Sequence, residues 1–600
     1  MRAHIMRKFG MDVFQRRSSS KDLFARRLCT AACAVIIALC CGVSAAHAQD
    51  PGKDAAPDPP AVRVTGSATV TGDVYLFSSN PDSANRPRRP SNLWRLILSP
   101  TIQFGDWLTL PLSITLASRE VNVTTPVTGG SNLIQFLQNP MNNLGFLSIS
   151  PKLGWAQFYL GSHVPQYSEL SSGDGQVFGA GVDLRPGKFR FSASAGSIQR
   201  AIEPDSQRGI RGSYARWIYL TKIGFGTDES SYFDLNFVRA RDDPRSITRM
   251  PEGLDPQEGV LVTGNFKSRF NERLSLTGEI GTSVFTNDMN ASGLTNPDAT
   301  LNSIIRERIS SRTDLAGNLG ISYSQEAWGV KALARYIGAG YVALGYPYMQ
   351  PDRLEYTLSP RAQLFENRLA INGSIGIRSN NLSNTKEQTS SQFIGSANVL
   401  GVITDDFNIS ASYSNFGIRN NKADDTLRIE SVSQSISVTP TYTLPTDAAV
   451  HTMSVTYSRD GYNDYNVVSG AENSNNTQSV MIMYANTFLS LPLSTNLSVN
   501  HLTNDLKTGA LTINSLSLGG SFRFRNGDVV PSLTLTWSTS QVEKFTQDRQ
   551  LYLRLSSRWK INKMFALTLS ASRNGYWYGS SRPGVSFAET FFQTAMTMQF

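Results

Sequence analysis

Catalysis by proton or electron-pair transfer needs bases, nucleophiles or metal ligands at set spacings, and this chain of 600 residues holds five histidines and four cysteines. The cysteines, Cys29, Cys33, Cys40 and Cys41, all fall in the first 48 residues. Beyond them stand only His163, His451 and His501, on separate predicted hairpins, with no Gly-x-Ser-x-Gly elbow and no His-Glu-x-x-His pair. A Ser–His lipase at a lipid face would have to use His501, beside Asn500. The three histidines otherwise read as wall or rim residues. We expect no enzyme, no catalytic residue, no metal site and no cofactor.

What remains is charge, and its spacing is informative. Gln550, Arg554, Arg558 and Lys560 share one parity while Leu551, Leu553, Leu555 and Trp559 share the other. Phe565, Leu567, Leu569 and Ala571 alternate in the same way with Thr568, Ser570 and Ser572. Leu274, Leu276 and Ile280 alternate with Ser275, Thr277 and Glu279, and Phe522 and Phe524 with Arg523 and Arg525. A period of two is that of a strand with one greasy face. An arginine on the lipid side of a membrane strand costs roughly 2 to 4 kcal/mol at the midplane, so this sorting separates lipid from lumen. Glu279, Lys331, Arg335, Arg378, Arg523, Arg525, Arg554 and Arg558 are therefore the candidate pore-lining residues. They would either set a field for anionic solutes or pair with one another across a wide polar wall.

The elements that must position these residues are many short strands. Tight-turn signals fall at 105–106, 151–154, 185–187, 227–230, 271–272, 324–327, 366–367, 405–406, 445–448, 492–496, 526–528 and 562–563, each rich in Gly, Pro, Asn or Asp. Twelve hairpins plus single strands at 61–77 and 589–600 give an all-β chain: a transmembrane antiparallel β-barrel of about 26 strands, within a range of 22 to 28. The final strand puts Phe592, Met596 and Met598 on one face and ends at Phe600. Such a terminus is similar to the closing strand that the barrel-assembly machinery reads. No stretch of 18 apolar residues follows the leader, so no spanning helix is expected.

Residues 1–48 read as a signal peptide: Arg26 and Arg27, an apolar run from Leu28 to Val43, then Ala46-His47-Ala48. Translation from Met6 or Met11 would give it a more usual length. A lipoprotein site at Cys40 is the weaker alternative, since Leu39 precedes it. Cleavage removes eight basic and two acidic residues and takes the formal charge from +9 to +3. That balance gives no footing for nucleic acid. Residues 49–60 form a Pro-rich periplasmic lead-in, and 61–600 a single outer-membrane barrel.

The run Gln138-Asn139-Pro140 through Ser150-Pro151, Trp155 and Leu160-Gly161 leads to Phe178-Gly179-Ala180-Gly181 and Pro186-Gly187-Lys188-Phe189. It resembles the uncharacterised large outer-membrane β-barrels of Bacteroidota and related bacteria. The likeness continues through Pro251-Glu252-Gly253, Phe285-Thr286-Asn287-Asp288, Gly340-Tyr341, Leu344-Gly345 and Asn380 to Lys386. It covers about residues 95 to 420, and it implies fold and location but no activity.

A barrel this wide would leak unless something fills it. Long connections such as 119–143 and 287–311 are expected to fold inward, with Leu133, Ile134, Phe136 and Leu137 as loop constriction candidates. Alternatively a periplasmic protein or a lipoprotein serves as plug. Asn85-Arg86-Pro87-Arg88-Arg89-Pro90 is expected at the outer rim, within reach of lipopolysaccharide phosphates, or simply solvated. The expected function is a gated channel or translocation barrel for a bulky or polymeric solute, without intrinsic energy coupling. The alternative is a non-conducting surface scaffold with a sealed lumen.

Overall fold

The computed structural model describes residues 62–600 except 82–84, 118–145, 174, 206, 208, 250–252, 347, 507–508, 544 and 581. The expected signal peptide and lead-in, and the constriction candidates Leu133, Ile134, Phe136 and Leu137, lie outside the described residues. Within them, 27 strands form one sheet in which pairings join sequence neighbours or close the ring, apart from two around a split strand. Two short strands, Phe146–Ile149 and Lys152–Leu153, are halves of one stave, since each pairs both with Leu108–Ala117 and with Ala156–His163. The wall therefore has 26 staves, all antiparallel.

Closure comes from the two ends. Strand Val62–Asn80 pairs with Ser586–Gln599, Ser67 opposite Gln599 and Asn80 opposite Ser586. Gly66 and Phe600 exchange backbone hydrogen bonds of 2.8 and 3.1 Å at the foot of this seam. Gly66 has φ +148°, and a Cβ there would meet the Ser99 carbonyl oxygen at 2.3 Å. Phe592 and Met596 are exposed on the outer face as expected, but Met598 is buried.

Ten of the twelve expected tight turns separate the observed strands. The one expected at 151–154 closes later, at Gly154 and Trp155, because Lys152–Leu153 is a strand, and the one expected at 492–496 closes earlier, because Leu493 already begins a strand and residues 489–492 make the turn. The short 3-10 turn Arg525–Gly527 holds Asn526 at φ 57°. Its place corrects the reading of Arg525, which sits in that turn and not in the wall, and Arg523 has already left strand Gly509–Phe522. Among the described residues, short α-helices occur only in connections, Ala299–Ile304 and Gly470–Asn473.

The two faces of the wall are chemically distinct. In Ala215–Gly226 the side chains of Trp217, Tyr219, Ile223 and Phe225 are exposed, while Ile218, Leu220 and Lys222 are buried. In Tyr232–Asp243 the exposed set is Phe233, Leu235 and Phe237, and the buried set is Asp234, Asn236, Val238 and Ala240. A continuous exposed apolar face is what a bilayer solvates, so the first sets face lipid and the second the lumen. Arginine is not confined to the lumen: Arg239 and Arg241 share the parity of Phe237, Arg459 that of Tyr457, and Arg573 that of Trp577. Each lies within five residues of its strand's long-connection end, where the cost of a charge falls to about 0 to 1 kcal/mol.

Candidate functional site

The core of this molecule lies inside the barrel, along one arc. Ile218, Leu220, Val238, Ala240, Leu261, Phe285, Ala316 and Ile337 belong to it, together with Tyr167, Leu170, Tyr341, Ala343 and Leu344 from two connections. Those connections are 164–176 and 338–352. Both leave the long-connection end and turn in over the lumen face.

Each is anchored by bonds made side chain to backbone. The N–H of Leu170 donates to both oxygens of Glu279 at 3.2 Å, and Tyr341 donates its hydroxyl to the Leu170 carbonyl at 2.9 Å. Tyr167 donates to the Leu220 carbonyl at 3.1 Å, and Ser168 meets the Thr263 hydroxyl at 3.0 Å. Lys222, buried, donates to the Gln166 carbonyl and lies 5.1 Å from the centre of the Tyr167 ring. Asp314 accepts the N–H of Gly340 at 2.6 Å, and Ser283 donates to the Val342 carbonyl at 3.0 Å. Burial pushes the Tyr167 and Tyr341 hydroxyls up, so both stay protonated donors.

The two connections also interlock. A Cβ at Gly175 would stand 2.4 Å from the Gly345 carbonyl oxygen, one at Gly173 (φ +50°) 2.6 Å from the Tyr346 ring, and one at Gly345 2.6 Å from Ile218 Cδ1. Lys222 lies seven residues from the long-connection end of its strand, so the lining reaches about 20 Å along the wall.

Beneath this lining, towards the tight turns, Arg190 forms a forked pair with Asp234 at 2.8 and 3.1 Å and reaches Asp228 at 2.9 Å. Arg185 joins Asp228 at 2.7 Å and Asp183 at 3.2 Å. His163, the last residue before connection 164–176, has Nε2 3.3 Å from the Ser194 hydroxyl and Nδ1 3.1 Å from the Gly161 carbonyl. Its Nδ1 thus meets a peptide oxygen where a catalytic histidine would have a carboxylate. His501 meets Asn514 at 2.7 Å, and His451 meets the Tyr484 hydroxyl at 2.7 Å. No group of three potential metal ligands occurs among the described residues.

The expected lumen residues thus divide. Glu279 is bound under the lining, Arg335 pairs with Glu169 of connection 164–176, and Arg378 pairs with Glu355 at 3.2 Å. Arg378 also borders a cavity of about 400 Å³ with Asp352, Arg353 and Lys386. Lys331, Arg554 and Arg558 are exposed on the lumen face. The structure does not bring the eight into one ring.

Two loop expectations need correction. Connection 287–311 was expected to fold inward; instead Ile305 packs on Val260 and Val284, which carry the outward parity of Ile280. The rim there is apolar on its outer side, and the loop covers it. The second concerns Asn85 to Pro90, which bends over the lumen face and not outward: Arg88 lies over Phe587 at 5.3 Å and Arg89 over Phe591 at 5.1 Å, both opposite in parity to the exposed Phe592.

The residues that make the lining were not singled out by chemistry. Their signal was present: Tyr341 to Met349 is an apolar and aromatic stretch inside a loop, and Trp217-Ile218-Tyr219-Leu220 is apolar on both faces. Apolar side chains on both faces of a strand announce a cover on each.

No family model and no curated protein matches the chain. Among solved structures it is similar to the P pilus usher (PapC) translocation pore, with a TM-score of 0.36 and 9% identity over 90% of this chain and 99% of that one. Similar too are the ferric yersiniabactin uptake receptor FyuA from Yersinia pestis (0.33, 10%, 90% and 81%) and OccAB2 of Acinetobacter baumannii (0.28, 10%, 62% and 98%). The fold assignment rests on the chain's own closed strand order: it is an outer-membrane β-barrel.

Proposed function

We propose that this barrel is an outer-membrane channel or translocation pore for a bulky or polymeric solute, narrowed on one side by its own connections and without intrinsic energy coupling. The observation that carries this reading is the unequal lumen: one arc is lined by 164–176 and 338–352, while Lys331, Arg554 and Arg558 stand exposed elsewhere on the inner face. A circular barrel of this many staves would be roughly 50 Å across between backbones, from a strand spacing near 4.8 Å and the usual tilt. One layer of loop, roughly 10 Å thick, narrows such a passage and leaves it open.

The lining is too well anchored to act as the gate. Burying Leu170, Tyr341 and Leu344 contributes roughly 1.5 to 3 kcal/mol each, before their hydrogen bonds. Closure then falls to another element, either 119–143 with Leu133, Ile134, Phe136 and Leu137, or a periplasmic or lipoprotein plug. The motif run resembling Bacteroidota barrels supports fold and location only; its Tyr341 and Leu344 belong to the lining. Phe600 as an assembly signal, and Arg239, Arg241, Arg459 and Arg573 as contacts for lipopolysaccharide phosphates, complete the proposal.

Single-channel conductance of the refolded chain in planar bilayers tests it. We expect large stable openings, raised further when 166–172 is replaced by a Gly-Ser linker. A folded barrel that stays silent in both forms points to the sealed scaffold instead.

A further inference from the structure

The barrel's closing seam carries a second inner-wall feature, unlike the first in composition. Tyr75 and Phe77 of the first strand, Tyr576 and Tyr578 of the penultimate strand, and Phe587 of the last form a continuous aromatic group. Phe587 lies 6.1 Å from Phe77, 5.1 Å from Tyr576 and 6.2 Å from Tyr578 between ring centres. Val74, Leu76, Trp577 and Phe592, of opposite parity, are exposed on the outer face, so these rings belong to the lumen.

Arginines are laid on this platform. Besides Arg88 over Phe587 and Arg89 over Phe591, Arg582 lies over Tyr578 at 5.4 Å. The segment that brings Arg88 and Arg89 is pinned. Asn85 accepts from the Tyr578 hydroxyl at 3.3 Å and donates to Ser79 at 3.3 Å, and the N–H of Arg88 donates to the Tyr75 hydroxyl at 3.4 Å. Of the nearby carboxylates, Glu589 accepts from Tyr75 at 2.7 Å, Asp73 takes Arg95 at 3.2 Å and Gln593 at 3.0 Å, and Asp548, beside Tyr576, accepts from Ser540 at 3.4 Å. Arg88, Arg89 and Arg582 are exposed and enter no ion pair with another described residue. A guanidinium drawn to a ring face spends no N–H on a carboxylate, and its N–H fork fits phosphate and carboxylate oxygens.

We infer that the seam is an anion-recognition site at the mouth of the passage, in which Arg88, Arg89 and Arg582 bind phosphate or carboxylate groups of a polyanionic solute. The inference rests on the channel reading and narrows its solute class. Lipid phosphates share this chemistry, but they lie on the other side of the wall from these rings.

The probe is tripolyphosphate added to the outer side of the full mature chain in a planar bilayer, once with and once without lipid A. We expect it to block the current, and Arg88→Ala with Arg89→Ala to weaken block at least tenfold in both bilayers. The variant's folding is checked by its heat-modifiable mobility on gels. Equal block in the parent and the double variant overturns the site. So does an effect of the substitutions that is seen only with lipid A, which would assign the arginines to lipid. A barrel that never conducts defeats the channel reading alone. Calorimetric binding of tripolyphosphate to the detergent-held protein, parent against double variant, then decides the site: a tenfold loss supports it and no difference overturns it.

Discussion

The inner wall is built in two ways. From Ala156 to Arg353 much of the polar face is covered, Lys331 apart, and Glu279, Lys222, Asp234 and Asn236 are buried and bonded. From Ser390 to Lys560 the same parity carries mostly Ser, Thr and Asn with exposed Arg554 and Arg558, and few side chains are buried. The covered arc behaves as a soluble protein's core does, with apolar contacts and paired charges. The bare arc needs only the hydrogen-bond ladder of its strands and a lumen that wets it. On the proposed channel reading, stability and permeation fall to different arcs of one sheet.

The sharpest test of that division is to break an equivalent charge on each side. Arg190→Met leaves Asp234 buried without its partner, and removing one member of a buried pair costs about 3 to 5 kcal/mol. Arg554→Met, on the bare arc, is expected within about 0.5 kcal/mol of the parent. Urea titrations followed by heat-modifiable mobility should show the first midpoint shifted far down and the second unmoved. Adding Asp234→Leu to Arg190→Met should recover most of the loss. Equal shifts on the two arcs would end the comparison.

A smaller effect is expected from Gly345→Val. Its side chain would run into Ile218, and overpacking of this kind typically costs 1 to 3 kcal/mol. The expected signature is specific: connections 164–176 and 338–352 become cleavable by added protease while the strands stay resistant. If cleavage is unchanged, the two connections are not locked through this glycine. Smaller still in stability, but readable in ion preference, is Arg554→Ser with Arg558→Ser. Reversal potential across a salt gradient should move towards cations, with no change in the urea midpoint.

How much of this was legible in the sequence follows the same division. Alternation over Gln550 to Lys560 fixed the faces there because no connection among the described residues covers that arc, so parity alone decides exposure. Turn chemistry placed the hairpins, and the even stave count followed from them. The covered arc was harder. Its strands are apolar on both faces near Ile218 and Leu261, which blurs the period of two. Which connection turns inward depends on contacts distant in sequence, such as Tyr341 with Leu170. Connection 287–311 was misjudged because length does not say which side of a rim is apolar; Val260 and Val284 decide that, and they lie on the outer face. Arg88 and Arg89 were read as rim charges because no local pattern announces rings brought together by closure of the first and last strands.

The smallest predicted effect concerns the boundary between the two arcs. Asp352, at the foot of connection 338–352, accepts the N–H of Leu382 at 2.8 Å and pairs with Lys386, tying connection 380–389 to the covered side. Burial works to raise its carboxyl pKa, but Lys386 and the backbone N–H groups of Leu382 and Asn381 outweigh it, and the group ends below the usual carboxylate value. A carboxylate whose folded pKa is depressed adds stability above its unfolded pKa, near 4, and loses it as pH falls through the lower folded value. The tie should therefore hold at neutral pH and loosen only below about pH 4. Amide exchange in 380–389 should rise there, after correction for the intrinsic rate, while exchange in 164–176 stays slow because apolar contacts and the hydroxyl bonds of Tyr167 and Tyr341, which do not titrate there, hold it alongside its charged anchors. Asp352→Asn should show the faster exchange already at pH 7. If 164–176 loosens in step with 380–389, the boundary lies elsewhere and the covered arc extends across Lys386.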